Sequence, residues 1–339
     1  MLVCGRFLCA FFALFFISFG SANSRVFRRF STAQSMATYP TIYVDKSGHG
    51  NFSTIQSAID SIPSNNGNWI CVSVRAGEYR EQVRIPMDKP YIYIKGDGKR
   101  KTSVIWGSHG SIATSPTFIS QADNTIVKSI SFRNSFNNPP TNYNPIRTWR
   151  QMISGDKSAF YRCGFYGFQD TLWDVQGKHY FKLCTIEGAV DFIFGSGQSI
   201  YERCTISVIA RALDGLAGFI TAQGRSTPEE TNGFVFKDCS VIGTGLTYLG
   251  RPWREYARVI FYNSYLSDVV LPLGWNAWGN FAGREYQLTF AEHDCYGVGS
   301  NTSNPVKWEA NLSILLWLTN IKFIDDDGWI SRQPVNMLT

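Results

Sequence analysis

Residues that usually bind metal ions are sparse in this sequence. The 339 residues include four histidines, and none of the eight cysteines belongs to a Cys-x-x-Cys pair. The acidic triplet Asp325–Asp327 lacks the spaced ligands and the closing glutamate of a calcium loop. We therefore expect neither a zinc site nor a calcium site, and we interpret the triplet as a solvated turn.

Long apolar runs and amphipathic helices are also scarce. The apolar run Phe7–Phe19 is too short to span a membrane comfortably, and it lies between the basic Arg6 and the small residues that end at Ala22. This order predicts a secretory signal peptide over residues 1–22, with an uncleaved anchor as the alternative. Residues 23–38 are interpreted as an unstructured lead-in, and the protein is expected to be secreted and extracellular.

Acidic residues are fewer than basic ones, and the formal net charge is +6. A mildly basic surface favours an anionic partner. Because we expect secretion, an acidic polysaccharide fits better than nucleic acid; the alternative is a charge without a role. The triplets at Asn51, Asn301 and Asn311 predict glycosylation. Six cysteines remain after the signal peptide, and some should pair in an oxidising compartment.

A repeated motif dominates what the sequence does contain. Each copy begins with an aromatic residue, has Cys or Ser three residues later and an apolar residue two residues after that. The copies are FYRCGF, FKLCTI, YERCTI, FKDCSV and FYNSYL, with Cys or Ser at positions 163, 184, 204, 239 and 264. Apolar residues alternate within each copy, which is the period of a strand. Steps of 20 to 35 residues predict one coil of a parallel β-solenoid each; a β-sandwich is the alternative.

We expect one large all-β domain over residues 39–332 and a tail over residues 333–339. Apolar spacing in Phe52–Ile62 predicts a short amphipathic helix that closes the exposed end of the solenoid. Leu312–Leu318 predicts a second helix along its side. The Pro- and Asn-rich stretch Asn137–Arg150 predicts a loop that forms a cleft wall.

Two aspartates are the strongest candidates for chemistry. Asp170 and Asp191 are 21 residues apart, which is also the interval between Cys163 and Cys184. Residues one coil apart stack in neighbouring strands about 4.8 Å apart. Two carboxylates that close cannot both ionise comfortably, so one pKa should rise. One aspartate would then act as an acid and the other as a base or nucleophile.

The segment LGRPW contains a third candidate group. In an extended strand, Arg251 and Trp253 point the same way. A cation beside an aromatic surface suits an acidic sugar. The alternatives are a surface charge for Arg251 and core packing for Trp253.

Four segments carry a family resemblance over about Thr41–Ile330. They are GEYREQV, SGDKSAFYRCGFYGFQDTLWD, GAVDFIFGSG and LGRPW, in that order. The chain resembles plant pectin methylesterases, also called pectinesterases. The resemblance implies a right-handed parallel β-helix, with no room for the N-terminal inhibitor-like domain that many plant members carry. It also implies hydrolysis of pectin methyl esters to pectate and methanol in the cell wall, without metal or cofactor.

The resemblance also implies individual roles. Asp191 matches the nucleophile that forms an acyl-enzyme, and Asp170 matches the general acid. Gln169 matches an oxyanion donor, and Arg251 matches the residue that keeps the nucleophile ionised. Trp253 matches an aromatic residue that contacts the substrate. The implied partners are pectin and a proteinaceous pectinesterase inhibitor, with no nucleic acid and no membrane, and the protein is expected to be a monomer.

One motif departs from the family pattern. A second oxyanion donor, a glutamine, usually lies nine residues before the aspartate of SGD, and here that position is Arg147. Gln151 fills the role only if about four residues are missing from the strand. Either residue replaces the donor, or the site is impaired, or the gene is predicted incorrectly. The family also implies a Cys204–Cys239 disulfide, while Cys163 and Cys184 could pair one coil apart.

Three functions remain open. An active pectin methylesterase should release methanol without shortening the polymer. A pseudoenzyme should bind pectin without releasing methanol. Another β-helix hydrolase or lyase should cut the chain, and paired aspartates alone would permit glycoside hydrolysis.

Overall fold

The computed structural model describes residues 39–107, 115–135, 151–279, 281, 283–300 and 312–335. The predicted signal peptide, the lead-in, the loop at 137–150 and the triplets at Asn301 and Asn311 lie outside these residues. In the part of the chain that is described, no helix is long and apolar enough to cross a membrane.

Parallel strands account for most of the described structure. In chain order they are β1 (Thr41–Val44), β2 (Ile70–Val74), β3 (Gly77–Tyr79), β4 (Val83–Ile85), β5 (Ile92–Gly96), β6 (Thr102–Trp106), β7 (Phe118–Ser120), β8 (Thr125–Lys128), β9 (Ser131–Asn134), β10 (Gln151–Ile153), β11 (Ser158–Tyr161), β12 (Gly164–Tyr166), β13 (Leu172–Asp174), β14 (Lys178–Lys182), β15 (Thr185–Gly188), β16 (Val190–Gly195), β17 (Gln198–Glu202), β18 (Thr205–Ile209), β19 (Gly218–Gln223), β20 (Gly233–Lys237), β21 (Ser240–Thr244), β22 (Thr247–Pro252), β23 (Arg258–Tyr262), β24 (Tyr265–Leu266) and β25 (Thr289–His293).

These strands form three parallel sheets that the chain visits in turn. Sheet A has the order β1-β2-β5-β8-β11-β14-β17-β20-β23-β25, sheet B runs from β3 to β24, and sheet C has the order β4-β7-β10-β13-β16-β19-β22. From β2 to β24, the chain adds one strand to A, then to B, then to C. This is the predicted parallel β-helix.

The leading aromatic residues of the repeat form one buried ladder in sheet A. Phe160, Phe181, Tyr201, Phe236 and Phe261 are in register on successive strands. Their rings stack with centroid distances of 5.0, 4.6, 4.6 and 4.4 Å. One copy of the sequence motif is therefore one coil, as the repeat predicted.

The residue before each repeated Cys or Ser turns the chain from sheet A into sheet B. Arg162, Leu183, Arg203, Asp238 and Asn263 all have positive φ, between 48° and 57°. Few residues other than glycine adopt this left-handed conformation. Its recurrence at one corner shows that stacking of the coils enforces it.

The cysteines differ from the disulfide predictions, since all six in the described chain are free. The four that follow the corner residues stack as a ladder of thiols, and each donates to a carbonyl oxygen of the preceding coil. Cys239 Sγ lies 3.1 Å from Tyr201 O, and Cys204 Sγ lies 3.4 Å from Phe181 O. Cys204 and Cys239 are therefore not paired, and neither are Cys163 and Cys184. Burial raises the pKa of the Cys204 thiol well above its usual value, which keeps it protonated.

Helix α1 (Ile55–Asp60) lies within the span predicted as a helix. Thr54 caps its N-terminus by accepting a hydrogen bond from Ser57 N at 3.2 Å. Its apolar residues Ile55, Ala58 and Ile59 are buried. The helix contacts β1, β2 and β4, so it packs on the first coils of the β-helix.

The C-terminal segment, residues 312–335, begins with helix α2 (Leu312–Leu318), at the position predicted. Apolar residues of this segment, among them Leu318, Phe323 and Trp329, join one cluster with residues on the outer face of sheet A. The acidic triplet is part of this contact rather than only a solvated turn. Asp326 pairs with Lys178 at 2.5 Å and Asp327 with Lys157 at 2.8 Å. These ion pairs join the segment to two successive coils.

Candidate active site

Asp170 and Asp191 occupy equivalent positions on adjacent coils. The bridge between Gln169 and Val190 and the pairing of Leu172 with Ile193 both have the 21-residue offset. Asp170 N donates to Val190 O at 3.1 Å. Both aspartates have positive φ, 54° and 46°. Asp tolerates this conformation better than most residues, and such strain often marks functional positions.

A β-bulge sets the direction of Asp191. Against β19, Val190 pairs with Phe219 but Ile193 pairs with Thr221, so β16 has one extra residue here. Phe192 and Ile193 are consequently both buried, while Asp191 remains partly exposed. Bulges often aim a side chain next to an active site. Here the bulge turns Asp191 out of the core onto the outer face of sheet C.

Arg251 binds the Asp191 carboxylate with two hydrogen bonds. Nε lies 2.9 Å from Oδ1 and Nη2 lies 2.6 Å from Oδ2. Only 15% of the arginine side chain and 13% of the aspartate side chain are exposed. Charge-assisted bidentate bonds of this kind are strong and fix geometry. They favour the ionised form of Asp191 and one orientation of its carboxylate.

Two aromatic rings enclose the Arg251 guanidinium. Its central carbon lies 4.1 Å from the ring centroid of Phe219 and 4.2 Å from that of Trp278. Phe219 in turn stacks on Tyr248 with a centroid distance of 5.3 Å. Contacts on both faces hold the guanidinium plane in place. Sequence reasoning missed both rings; Phe219 lies opposite Val190 on the next coil, and the length of that coil departs from the 21-residue interval.

Trp253 lies on the same face of sheet C, with two further aromatic residues. The rings of Trp173 and Phe194 stack with centroids 5.7 Å apart, and Trp253 meets the Phe194 ring edge-on at 5.9 Å. A Cβ at Gly224 would lie 2.9 Å from Trp253 Cε3, so glycine makes room for this ring. The result is a partly exposed apolar platform on the same face as the aspartates. Of its members, sequence reasoning identified only Trp253.

Gln169 is partly buried and immediately precedes Asp170. It lies on the same turn as the acid, where the sequence predicted an oxyanion donor.

Gln151 differs from its prediction. It lies in β10, in register with Phe118 and Leu172, two residues of the hydrophobic core. Its side chain is fully buried, and both amide atoms lack hydrogen-bond partners among the described residues. The 21-residue register continues without a gap from β10 to β13, which assigns Gln151 to a core position. Gln151 therefore does not reach the site, and Arg147 lies outside the described residues.

A buried polar network lies beneath this face. Asp174 Oδ1 is 2.5 Å from His179 Nδ1, and Asp174 Oδ2 accepts hydrogen bonds from Ser199 at 2.5 Å and Tyr201 at 2.7 Å. His179 Nε2 donates to Gly155 O at 2.9 Å. Burial opposes the charged imidazole, but the Asp174 carboxylate and these hydrogen bonds outweigh it and raise the pKa of His179. The network joins neighbouring coils and was not found from the sequence.

Comparisons with known proteins agree with this architecture. A family model described as Pectinesterase matches residues 41–326. The chain belongs to the pectinesterase family. Probable pectinesterase 29 of Arabidopsis thaliana is 57% identical over 302 residues, which cover 87% of this chain and 90% of that protein. Probable pectinesterase 55 of the same plant is 55% identical over 303 residues, covering 87% and 92%.

Solved structures place this pectinesterase in the same fold. Pectin methylesterase from carrot superposes with a TM-score of 0.81 at 28% identity, covering 90% of this chain and 99% of that one. Pectin methylesterase from Aspergillus niger superposes with a TM-score of 0.74 at 27% identity, covering 89% and 98%.

Proposed function

We propose that this pectinesterase hydrolyses the methyl esters of pectin through an acyl-enzyme on Asp191. The observation that carries the proposal is the bidentate Arg251–Asp191 pair one coil from Asp170. A carboxylate nucleophile must be ionised and oriented, and Arg251 favours both. The second carboxyl group then supplies proton transfer.

The reaction proceeds in two halves. Asp191 attacks the ester carbonyl carbon, and Gln169 donates a hydrogen bond to the oxyanion that forms. The bond to the methoxy oxygen breaks as Asp170 gives its proton to that oxygen, which releases methanol. Asp170, now a base, takes a proton from water as the water attacks the acyl carbon. The bond between the acyl carbon and Asp191 then breaks, which leaves Asp191 ionised and Asp170 protonated as at the start. The product departs as a carboxylic acid that loses its proton to solvent. One oxyanion donor typically contributes about 3 kcal/mol to such a reaction.

The aromatic platform and the net charge suit the same substrate. Trp253 and Trp173, which pack around the buried Phe194 ring, offer a partly exposed apolar surface for sugar rings. We further propose that the protein is secreted, acts as a monomer in the plant cell wall and is a target of proteinaceous pectinesterase inhibitors.

A pectin-binding protein without turnover is the second candidate. The burial of Gln151 favours it, because Gln169 is then the only glutamine that we assign to the oxyanion.

Methanol release from methylated pectin, measured together with polymer length, tests the proposal. We expect the wild type to release methanol at constant length and Asp191→Asn to bind pectin without turnover. Binding without methanol release by the wild type would support the second candidate, and a shortened polymer would indicate a glycosidase or lyase. Turnover by Asp191→Asn within tenfold of wild type would reject Asp191 as the nucleophile.

A further inference from the structure

Cations accumulate along the corner where sheet A turns into sheet B. Lys95, Lys128 and Lys237 belong to one column of sheet A that runs through successive strands. Arg162 and Arg203 occupy the adjoining column of left-handed corner residues. We call these five residues the basic corner.

The basic corner holds more cations than acids. Within the described chain, none of its five residues makes an ion pair, whereas Lys182 in the same column pairs with Glu202 at 2.9 Å. The other Glu202 oxygen accepts a hydrogen bond from Tyr180 at 2.6 Å. The nearby Asp238 accepts one from Asn263 at 2.6 Å. Glu202 and Asp238 keep their charges, but the five cations of the corner, together with Lys182, outnumber these two acids.

The cations of the corner lie close enough to influence one another. Partial burial, together with the charges of Lys95 and Arg162, lowers the pKa of Lys128. Lys95, Arg162 and Arg203 are exposed, and Lys128 and Lys237 are partly so. Like charges held close together without partners attract a polyanion.

The basic corner lies away from the candidate active site. Asp191 and Arg251 project from the outer face of sheet C. The chain passes through sheets A, B and C in every coil, so the corner between A and B is opposite that face. A polymer bound at the corner is consequently not the segment that reacts.

We propose that the basic corner binds a stretch of unesterified polyuronate, the class of polymer that ester hydrolysis produces. Its cations follow the stack of strands, whose spacing of about 4.8 Å is comparable to the length of one sugar ring. A linear chain with a carboxylate on every sugar can therefore meet successive cations. The choice of polyuronate rests on the proposed function, because hydrolysis is what creates these carboxylates. Binding at the corner holds the enzyme on pectin that has already lost its methyl groups, while the candidate active site binds a methylated stretch.

The experiment measures binding to immobilised polygalacturonate at low salt. The test protein carries Lys128→Gln, Arg162→Gln and Arg203→Gln. The matched control loses three cations elsewhere, through Lys46→Gln, Arg80→Gln and Lys322→Gln. We expect the test protein to bind at least about tenfold more weakly than both wild type and control, because attraction of a polyanion depends on local charge. Equal weakening of both variants would show that only net charge matters and would overturn the proposal.

Two further measurements make the result decisive. Wild-type binding should weaken steeply as the salt concentration rises through about 0.1 M, where the screening length is about 10 Å. Binding that does not depend on the salt concentration would contradict the proposal. Should the triple variant fold poorly, Arg203→Gln alone, which changes an exposed side chain, must still weaken binding relative to Arg80→Gln. Preference for double-stranded DNA or anionic vesicles over polygalacturonate would assign the corner to another partner and reject this one.

Methanol release from a short methylated oligogalacturonide separates this proposal from the proposed function. The triple variant should retain wild-type release, since its substitutions lie away from the site. A wild type that binds polygalacturonate through the corner but releases no methanol would refute the esterase proposal alone. If the wild type releases methanol and the triple variant binds polygalacturonate as tightly as the wild type, the basic-corner proposal alone is refuted.

Discussion

Arg251 reaches across an intervening strand to hold both carboxylate oxygens of Asp191. The aspartate lies on β16, the arginine on β22, and β19 runs between them. Phe219 of β19 lies against the guanidinium at 4.1 Å. The arginine thus crosses an aromatic surface rather than open solvent, which strengthens its hydrogen bonds to the carboxylate.

Replacing Arg251 with Lys should reduce kcat about a hundredfold or more, because lysine cannot form the bidentate pair or stack between rings. Methanol release under saturating pectin measures the effect. Arg254→Lys is the control, since Arg254 contacts the Trp253 ring and not the carboxylate. Equal activity of Arg251→Lys and wild type would show that orientation of Asp191 does not depend on the arginine.

Trp278 should act on the rate through Arg251. Trp278→Ala removes one of the two enclosing rings and should lower kcat about tenfold, whereas Trp278→Phe should keep most of the activity. Comparing kcat with KM distinguishes this role from substrate contact. If Trp278→Ala raises KM and leaves kcat unchanged, the ring contacts the substrate rather than positioning Arg251.

Gln151→Leu should stabilise the protein by about 1–3 kcal/mol, because it removes two buried polar groups that have no hydrogen-bond partner among the described residues. Urea denaturation measures the change. Methanol release should remain near the wild-type rate, while Gln169→Leu, a matched substitution on the active-site turn, should lower it about a hundredfold. A comparable loss of activity in Gln151→Leu would mean that Gln151 does reach the oxyanion.

His179 should give the folded protein a pH-dependent stability. Its pKa is raised in the folded state. The protonated imidazole therefore stabilises the fold below its unfolded pKa of about 6.5, and this contribution disappears as pH rises through the raised value. The difference in Tm between wild type and His179→Gln should be largest in mild acid and shrink towards alkaline pH. A difference that grows with pH would mean that His179 is buried in its neutral form.

The sequence allowed much of this to be predicted, for a physical reason. In a solenoid, residues that are one coil apart in the sequence are neighbours in space. The 21-residue interval was therefore enough to predict that Asp170 lies beside Asp191. The prediction for Gln151 rested instead on a family motif with an assumed gap of about four residues, whereas the 21-residue period places Gln151 beside Leu172 of the core. The bulge at Asp191 and the rings around Arg251 were not predicted from the sequence, since both depend on how β19 packs against its neighbours. The Cys204–Cys239 prediction came from the family resemblance and the Cys163–Cys184 prediction from proximity, whereas these thiols donate to backbone carbonyl oxygens.

The C-terminal segment changes how such a stack of coils must be completed. In a simple solenoid each coil contacts only its neighbours, and folding can spread from any point. Here residues 312–335 join one apolar cluster with strands from β2 to β25, and they follow all of those strands in the chain. The outer face of sheet A therefore stays uncovered until these residues have been made. A premature stop before residue 312 would leave a nearly complete β-helix with a long hydrophobic surface exposed to chaperones and to other nascent chains.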